Sequence, residues 1–504
     1  MTAMIDLSPT QAATRITTLL GAPESRTLDF KRISAKHSRM IETVCAFANS
    51  EGGLLAIGVE DAKQMKPGAK PASRLFGIEE NAEAFDDFRR QVMSRFAPAM
   101  ERLHWMRLPC TLRDGSAGHV VLLRVEKSDK VHTVIGDGTW TRMDASNREM
   151  NAVEIADLSY RRGVRSAAAE TVPVSLDLLA TQTWRRFAVS RGLKTGSFSE
   201  QLQRIGLAEL TGSEMRPTRA AVLLFADEPG SLLAAHDSRA DIRLMVYDGK
   251  TAVPGATPNL RKSPKTIRGP LIEQIDAAVK TVLDELSHGL TLSSSGFKTK
   301  HVYPERVVKE AIVNAVIHRD YRLNRDIFIR VFDDRIEIES PGAFPGNITV
   351  ANIGRAGSKA RNALIALNLR EFPEAPNIDA GEGVRMMFAE MAAAKLYPPQ
   401  YSQNLDAAVE SVTVTLLNLE RPTVWDEVSV WLDTHGSIAN RDLREISKLD
   451  TLEASRLLRA WVTQGVLIAL PAASRQQARY AKPEIPEDQP GLFSNGLDNE
   501  TGIH

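Results

Sequence analysis

The sequence predicts a multidomain protein that mixes α-helices and β-strands, in the α/β or α+β class. Its 504 residues correspond to about three or four domains at roughly 100–200 residues each. Hydrophobic residues make up 43% of the chain, which is enough for packed cores and excludes general disorder. Stretches with apolar residues at helical spacing occur beside short apolar runs that are typical of strands.

The composition excludes several classes of protein. No apolar run reaches the roughly 18 residues of a membrane helix, and the first residues lack the pattern of a signal peptide. Two cysteines, Cys45 and Cys110, are too few for a disulfide framework or a cysteine-based zinc site. Lys and Arg equal Asp and Glu at 63 each, so a wholly basic nucleic-acid coat is excluded, although local patches are not. We expect a soluble, cytoplasmic protein with no membrane partner.

Patterning divides the chain into six segments. These are a helical lead-in (1–20), a compact domain (21–165), a linking α/β segment (166–295), a third domain (296–420), a small helical unit (421–482) and a tail (483–504). Ser8-Pro9-Thr10 favours a helix start in the lead-in. The Pro/Asp/Asn-rich tail is predicted to be disordered.

Two acidic pairs flank the first helix of the compact domain. Glu24 and Asp29 precede this helix, and Glu60 and Asp61 follow the next strand. The pairs are therefore expected to converge, and three carboxylates beside Lys31 can bind Mg²⁺ or Mn²⁺ and stabilise charge at a phosphoryl centre. The alternative is that these acids are solvated, as Asp and Glu beside strands usually are.

The acidic pairs belong to a longer pattern that resembles the Schlafen-type AlbA domain. The resemblance is carried by ESRTLDFK (24–31), AFANSEGG (46–53), IGVED (57–61) and WTRMDAS (140–146). It implies an α+β domain that binds nucleic acid and, in some members, cleaves RNA with a divalent metal ion.

The resemblance also implies roles for individual residues. Glu24, Asp29 and Asp61 would be catalytic metal ligands, with Glu60 as a less favoured third carboxylate and Lys31 as a phosphate contact. The other candidate nucleic-acid contacts are Arg32, Lys36, Arg39 and Arg142. The chain departs from the family where it has Asp29 instead of Glu and Met143-Asp144-Ala145 instead of Val-Gly-Ser. Its nucleic-acid face is therefore expected to differ.

A second polar group lies on a predicted helix at 305–321. Glu310, Asn314 and His318 are spaced four residues apart, which places them on one helix face. Asn can ligate Mg²⁺ and Glu can polarise water, so the pair fits a phosphate site. A β-hairpin is predicted next, with its turn at Asp333. The alternative is an ordinary amphipathic helix over a sheet, with these polar residues solvated.

Motifs downstream of that helix resemble the divergent GHKL ATPase-like domain. They are Ser340-Pro341-Gly342, Ser358-x-x-Arg361-Asn362 and Gly381-Glu382-Gly383, together with His318-Arg319-Asp320-Tyr321. The resemblance implies an α/β sandwich that binds ATP with Mg²⁺, in which Glu310 and Asn314 form the N box and Asn314 ligates the metal. The other nucleotide contacts that it implies are Ser340, Gly342, Arg361, Asn362, Gly381 and Gly383.

The adenine-binding box of this domain departs from the family. GHKL enzymes usually contact adenine with an Asp just after the hairpin, where this chain has Glu339-Ser340-Pro341-Gly342. An Asp379-Ala380-Gly381-Glu382-Gly383 sequence occurs later, where the second glycine box belongs. Adenine specificity is therefore expected to be weak.

The segment from Thr423 to Tyr480 resembles a winged helix-turn-helix. Helices are predicted at 424–432, at 440–446 with Asn440 as the cap, and at 451–464, followed by a hairpin. The resemblance would place Arg456 and Arg459 of the third helix against DNA. Such units also serve in dimerisation, so a homo-oligomer is expected.

Two functions remain open from the sequence. One is a metal-dependent nuclease for RNA or single-stranded DNA, controlled by ATP, in stress or phage defence. The other is an ATP-sensing, DNA-binding regulator that does not cleave.

Overall fold

The computed structural model describes residues 4–236, 238–253, 255, 258–287, 290–293, 296–299, 303–350, 352–355, 357, 360–376, 382–406, 410–470 and 478–482. The predicted disordered tail, Ser358 and Gly381 lie outside the described residues. The chain forms two compact units, one of residues 160–421 and one of residues 1–159 with 422–504. No helix in the described part of the chain is both long enough and apolar enough to span a membrane.

The N-terminal domain is built on a five-stranded mixed sheet in the order β1-β5-β6-β3-β2. Its elements, in chain order, are β1 (Met4–Asp6), α1 (Pro9–Gly21), β2 (Leu28–Lys31), α2 (His37–Asn49), β3 (Gly53–Ile57), α3 (Ala82–Ser94), β4 (Phe96–Ala97), β5 (Leu103–Thr111), β6 (Ala117–Val125), β7 (Thr133–Val134), β8 (Trp140–Met143), β9 (Ser146–Glu149) and α4 (Ala152–Arg161). Strands β2 and β3 are parallel neighbours that α2 connects. The residues that follow β2 and those that follow β3 therefore lie at the same end of the sheet.

Local sequence explains where α1 starts and how the chain turns from α2 into β3. Ser8 caps α1 and forms a capping box with Gln11, as the Ser-Pro-Thr sequence predicts. The Gly52-Gly53 pair follows α2, and Gly52 has φ +86°. A β-carbon at Gly52 would lie 2.9 Å from the Val125 carbonyl oxygen. Gly53 does not have positive φ; it is needed because a β-carbon there would overlap the Phe47 ring.

The second unit contains a six-stranded sheet in the order β13-β12-β16-β17-β19-β18. Its elements, in chain order, are α5 (Gln182–Ser190), α6 (Phe198–Arg204), β10 (Ala208–Thr211), β11 (Glu214–Pro217), α7 (Arg219–Phe225), α8 (Pro229–Ala234), β12 (Ile242–Val246), β13 (Lys265–Ile267), α9 (Leu271–Ser287), β14 (Leu290–Ser293), β15 (Gly296–Thr299), α10 (Glu305–His318), β16 (Ile327–Val331), β17 (Arg335–Pro341), α11 (Ala363–Leu369), α12 (Gly383–Ala393), β18 (Gln400–Asn404) and β19 (Ser411–Leu417). The predicted hairpin forms as β16–β17, with Ile329 opposite Ile338.

The division expected at residue 295 is not a structural boundary. Strand β12, from the predicted linking segment, pairs in parallel with β16 from the predicted third domain. One hydrophobic core includes Ala221 and Leu224 of α7 as well as Ile312 of α10 and Ile338 of β17. Residues 160–421 therefore form a single folding unit, because the linking segment supplies part of the sheet and part of the core.

The C-terminal segment has three helices and a three-stranded antiparallel sheet in the order β20-β22-β21. Its elements are α13 (Trp425–His435), β20 (Ile438–Ala439), α14 (Asn440–Ser447), α15 (Thr451–Thr463), β21 (Ile468–Ala469) and β22 (Arg479–Ala481). Asn440 is the first residue of α14, not its cap, because the cap position is Ala439. Asp450 caps α15 and forms a capping box with Glu453.

Candidate functional site

One face of α10 borders a cavity of about 440 Å³ in the second unit. Glu310, Asn314 and His318 all line this cavity, as their spacing predicts. Val308 and Ile312 are buried in the core on the other side of the helix. The cavity size is within the range of small-molecule sites, so α10 is held by its apolar residues and presents its polar ones to a ligand.

Glu310 and Asn314 form a direct contact in the cavity. The Asn314 side-chain amide donates a hydrogen bond to Glu310 Oε1 at 2.9 Å. Burial raises the pKa of Glu310, and the hydrogen bond from Asn314 offsets part of that effect. A carboxylate with a raised pKa, held by a neighbouring amide, is suited to accept a proton from water.

The N-terminus of α12 meets Glu310 across the cavity. A β-carbon at Gly383 would overlap Glu310 Oε1, so glycine at this position lets the Glu310 carboxylate lie against the helix backbone. Gly383 and Arg385 of the first turn line the cavity, and so does Lys309 of α10. A helix N-terminus with two nearby cations favours a phosphate group. The residues present therefore fit a nucleotide with Mg²⁺.

The residues at the usual position of the adenine-binding Asp lie on strand β17. Side chains alternate along the strand, so Ser340 lines the cavity while Glu339 points to the other sheet face. Glu339 pairs with Arg325 and with Arg330, the latter at 2.7 Å. The Ser340 hydroxyl donates to the Ala315 carbonyl at 2.7 Å. The cavity thus has a hydroxyl and no carboxylate at this position.

Two of the predicted nucleotide contacts lie behind the cavity. Asn362 donates to the carbonyl groups of Ile317 and Arg319 at the end of α10, at 2.8 and 2.7 Å. Arg361 is 4% exposed and donates to the His318 carbonyl at 3.0 Å. Neither is among the residues that line the cavity, and both hold the C-terminus of α10 in place. Gly342 does line it, with φ +107°.

His318 is a cavity residue for which the sequence suggested no role. Burial lowers the pKa of His318 to about 4, and the nearby Arg361 acts in the same direction. The imidazole is therefore neutral near pH 7. The signals in the sequence were its spacing from Asn314 and its place in the His318-Arg319-Asp320-Tyr321 motif, and neither distinguishes a ligand contact from a core histidine.

The acidic group of the N-terminal domain does not fit a metal centre. Asp29 is 2% exposed; its Oδ2 accepts from Arg142 at 2.7 Å and its Oδ1 accepts from Lys31. Glu24 accepts from the Phe30 backbone N–H at 3.2 Å, and burial, Asp29 and Asp61 raise the pKa of Glu24 against the effect of Lys31. No cluster of three or more His, Cys, Asp or Glu side chains suited to a metal ion occurs among the described residues.

Arg142 is buried and has a structural position. Besides Asp29, it contacts the Asn147 side chain at 2.8 Å and the Ser25 carbonyl at 3.0 Å. These bonds tie strand β8 to the chain before β2, so the side chain is not presented to a nucleic acid. Asp144, where glycine is common in the family, has φ +48° in the β8–β9 turn.

The remaining candidate nucleic-acid contacts differ in accessibility. Arg32 pairs with Glu80 and with Glu60, the latter at 3.3 Å, which opposes a phosphate contact. Lys36 and Arg39, at the start of α2, are exposed. Arg456 and Arg459 are exposed on α15, one turn apart. The exposed pairs are the ones that can reach phosphates.

Comparison with known proteins identifies two domain types. Residues 24–151 match the family described as Schlafen, AlbA_2, and residues 324–416 match the family described as "Putative ATP-dependent DNA helicase recG C-terminal". No curated protein matches the chain. A crystal structure of a protein from Corynebacterium diphtheriae is 16% identical, covering 94% of this chain and 99% of its own, with a TM-score of 0.38. A TM-score this low does not establish a shared fold.

These two domain types are those of a nucleic-acid-related, ATP-binding protein. The match at 324–416 includes β16, β17 and β19, which form the sheet beneath the cavity, while Glu310 and Asn314 precede it in the same unit. The chain therefore contains a Schlafen-type AlbA_2 domain and, after it, a GHKL-like ATPase domain of the recG C-terminal type.

Proposed function

We propose that this protein binds ATP with Mg²⁺ in the cavity beside α10 and binds nucleic acid without cutting it, as a nucleotide-sensing regulator. The observation that carries the proposal is the contact between Glu310 and Asn314 opposite the N-terminus of α12. It combines a metal-ligand type, a proton acceptor and a phosphate-binding helix end in one cavity.

Individual residues have distinct roles at the nucleotide. Asn314 uses its amide N–H for Glu310, which leaves its carbonyl oxygen for Mg²⁺. The backbone at Gly383 and the Arg385 side chain would hold phosphate oxygens. A bound Mg²⁺ would neutralise phosphate charge. Glu310 would then accept the proton of an attacking water, if hydrolysis follows binding.

Binding without cleavage is supported by the state of Asp29. Both of its carboxylate oxygens already accept from cations, so its charge is neutralised inside the protein. A metal ion there would have to displace Arg142, which is 2% exposed and held by further hydrogen bonds. Nucleic-acid binding is assigned instead to Lys36 and Arg39, and to Arg456 and Arg459 of a winged-helix unit at 422–482.

The test is to titrate MgATP by calorimetry and then to measure nucleic-acid affinity with and without it. Transfer RNA, single-stranded DNA and duplex DNA are each incubated with Mn²⁺ to detect cleavage. We expect saturable MgATP binding, a change in nucleic-acid affinity and intact substrates. Cleavage that requires Mn²⁺ would support the nuclease instead. Sedimentation of the same samples tests the predicted homo-oligomer.

Nucleic-acid affinity should fall as the salt concentration rises. The double variant Lys36→Ala/Arg39→Ala should make the affinity less dependent on salt. Each lost phosphate contact lowers the slope of log affinity against log salt by about one. Fluorescence anisotropy over a salt series measures the slope. The control is Arg90→Ala/Lys130→Ala, which removes two exposed cations that are already ion-paired. An equal effect of both double variants would contradict the assignment.

Discrimination between ATP and GTP should be poor. Without a carboxylate to contact the base, the cavity lacks the buried partner that makes a wrong base costly. We expect the two dissociation constants from calorimetry to differ by less than about 100-fold. A much stronger preference for ATP would show that another group, such as His318, contacts the base edge.

A further inference from the structure

The six-stranded sheet of the second unit has a second face, which the ATP cavity does not use. Ile338 and Ser340 of β17 face the cavity and α10, so the residues between them point the other way. The strand register places Arg243 of β12 beside Phe328 of β16, and Met245 beside Arg330. These four side chains are half-buried and share that second face.

Aromatic rings and arginines dominate this face. The Phe328 ring has the Arg325 and Arg330 guanidinium carbons 5.7 and 5.4 Å from its centroid. At one end of the sheet, Tyr247 stacks on Phe332, with centroids 5.0 Å apart and planes at 10°. The face thus has rings on which flat groups can stack, with positive charge around them.

Arginines outnumber acids on this face. Among the described strand residues, the arginines of this face are Arg243, Arg330 and Arg335, and the acids are Glu337 and Glu339. Arg325 joins them through its contact with the Phe328 ring. Glu339 pairs with Arg325 and Arg330, and Glu337 pairs with Arg335 at 2.7 Å. Asp334, at the turn, pairs with Arg335 at 3.0 Å and Lys250 at 3.8 Å. Each of these three acids is therefore already paired with a cation.

Arg243 takes part in none of these ion pairs. It makes no ion pair within the part of the chain that the structure describes, and its Nε is buried without a hydrogen-bond partner there. The charge of Arg243 is therefore uncompensated on this face, and a phosphate group is a suitable partner for an unpaired guanidinium. The strand register places Arg243 opposite Phe328 of the neighbouring strand.

We propose that this face binds single-stranded nucleic acid, with bases stacked on Phe328 and Tyr247 and a phosphate on Arg243. Aromatic rings on a sheet, surrounded by cations, suit unpaired bases, because paired bases do not expose their faces for stacking. The surface belongs to residues 160–421, whereas Lys36 and Arg39 belong to the other unit, so it is proposed as a second nucleic-acid site that does not depend on the first.

The test uses the full chain and a 5-iodouracil-substituted oligothymidine, cross-linked by light and mapped by mass spectrometry. We expect cross-links in peptides that contain Tyr247 or Phe328, also in the Lys36→Ala/Arg39→Ala variant. Failure of the first surface and failure of this one are thereby distinguished. A duplex of the same sequence should not cross-link here.

Three variants measure the contribution of the face by fluorescence anisotropy. Phe328→Ala should weaken single-strand binding at least about five-fold. Arg243→Gln removes no native ion pair, and should lower the salt slope by about 0.7 without unfolding the domain. Arg216→Gln, half-buried on β11, is the control and should change nothing. Unchanged binding in Arg243→Gln, with no cross-links in these strands, would overturn the proposal. So would self-association that Arg243→Gln abolishes, because a second copy would then cover the face.

Discussion

Asp29→Ala is expected to unfold part of the N-terminal domain rather than to remove an active-site group. The Asp29 carboxylate and the Arg142 guanidinium are each 2% exposed and 2.7 Å apart. Removing one partner of such a buried pair leaves an uncompensated charge, which costs about 3–5 kcal/mol. That is a large share of the roughly 5–15 kcal/mol by which domains are stable. Arg142→Ala should have a similar effect.

Hydrogen exchange in the full chain measures this effect locally. Loss of protection is expected in peptides that contain β2, β8 and β9, because Arg142 joins these strands. Asp61→Ala is the control, since Asp61 is only half-buried and bonds the Lys63 backbone N–H. If Asp29→Ala keeps full protection and removes a Mn²⁺-dependent cleavage, Asp29 is a catalytic ligand after all and the proposed function is wrong.

Asn314→Ala is expected to lower MgATP affinity, whereas Glu310→Gln should preserve binding and stop hydrolysis. Loss of a metal-site partner typically costs roughly 10–100-fold in affinity. Gln at 310 can still accept from the Asn314 amide, so the geometry survives, but it cannot take a proton. Calorimetry and phosphate release separate the two outcomes. Glu305→Gln, an exposed residue of the same helix, is the control.

Glu310→Gln should also raise the unfolding midpoint at neutral pH. Because burial raises the pKa of Glu310, the folded state binds its proton more tightly than the unfolded state does. The stability of the wild type is therefore highest below the ordinary carboxyl pKa and falls as the pH rises through the Glu310 pKa. Glu310→Gln has no carboxyl group to ionise at this position, so it does not lose this stability. The unfolding midpoints of the wild type and the variant should therefore converge at acidic pH. A difference in unfolding midpoint that is the same at every pH would contradict a raised pKa of Glu310.

Periodicity and local motifs were sufficient to predict individual elements. The spacing of Glu310, Asn314 and His318 predicted a shared helix face, and all three line the cavity. The hairpin β16–β17 follows from alternation of Ile residues. Residues 220–225 belong to the buried helix α7, and their uniformly apolar sequence has no polar side that would reveal a helical period.

The sequence by itself determined the two domain types, the helix that carries Glu310 and Asn314, and the missing Asp at the adenine position. Each depends on a motif or on spacing within one element. Tertiary structure alone decided the pairing of β12 with β16, the position of Arg361 behind the cavity and the pairing of Asp29 with Arg142. Those contacts join residues far apart in the chain, and an acid's role depends on which cation reaches it. A carboxylate that faces water can bind a metal ion, whereas one enclosed with arginine has its charge already neutralised.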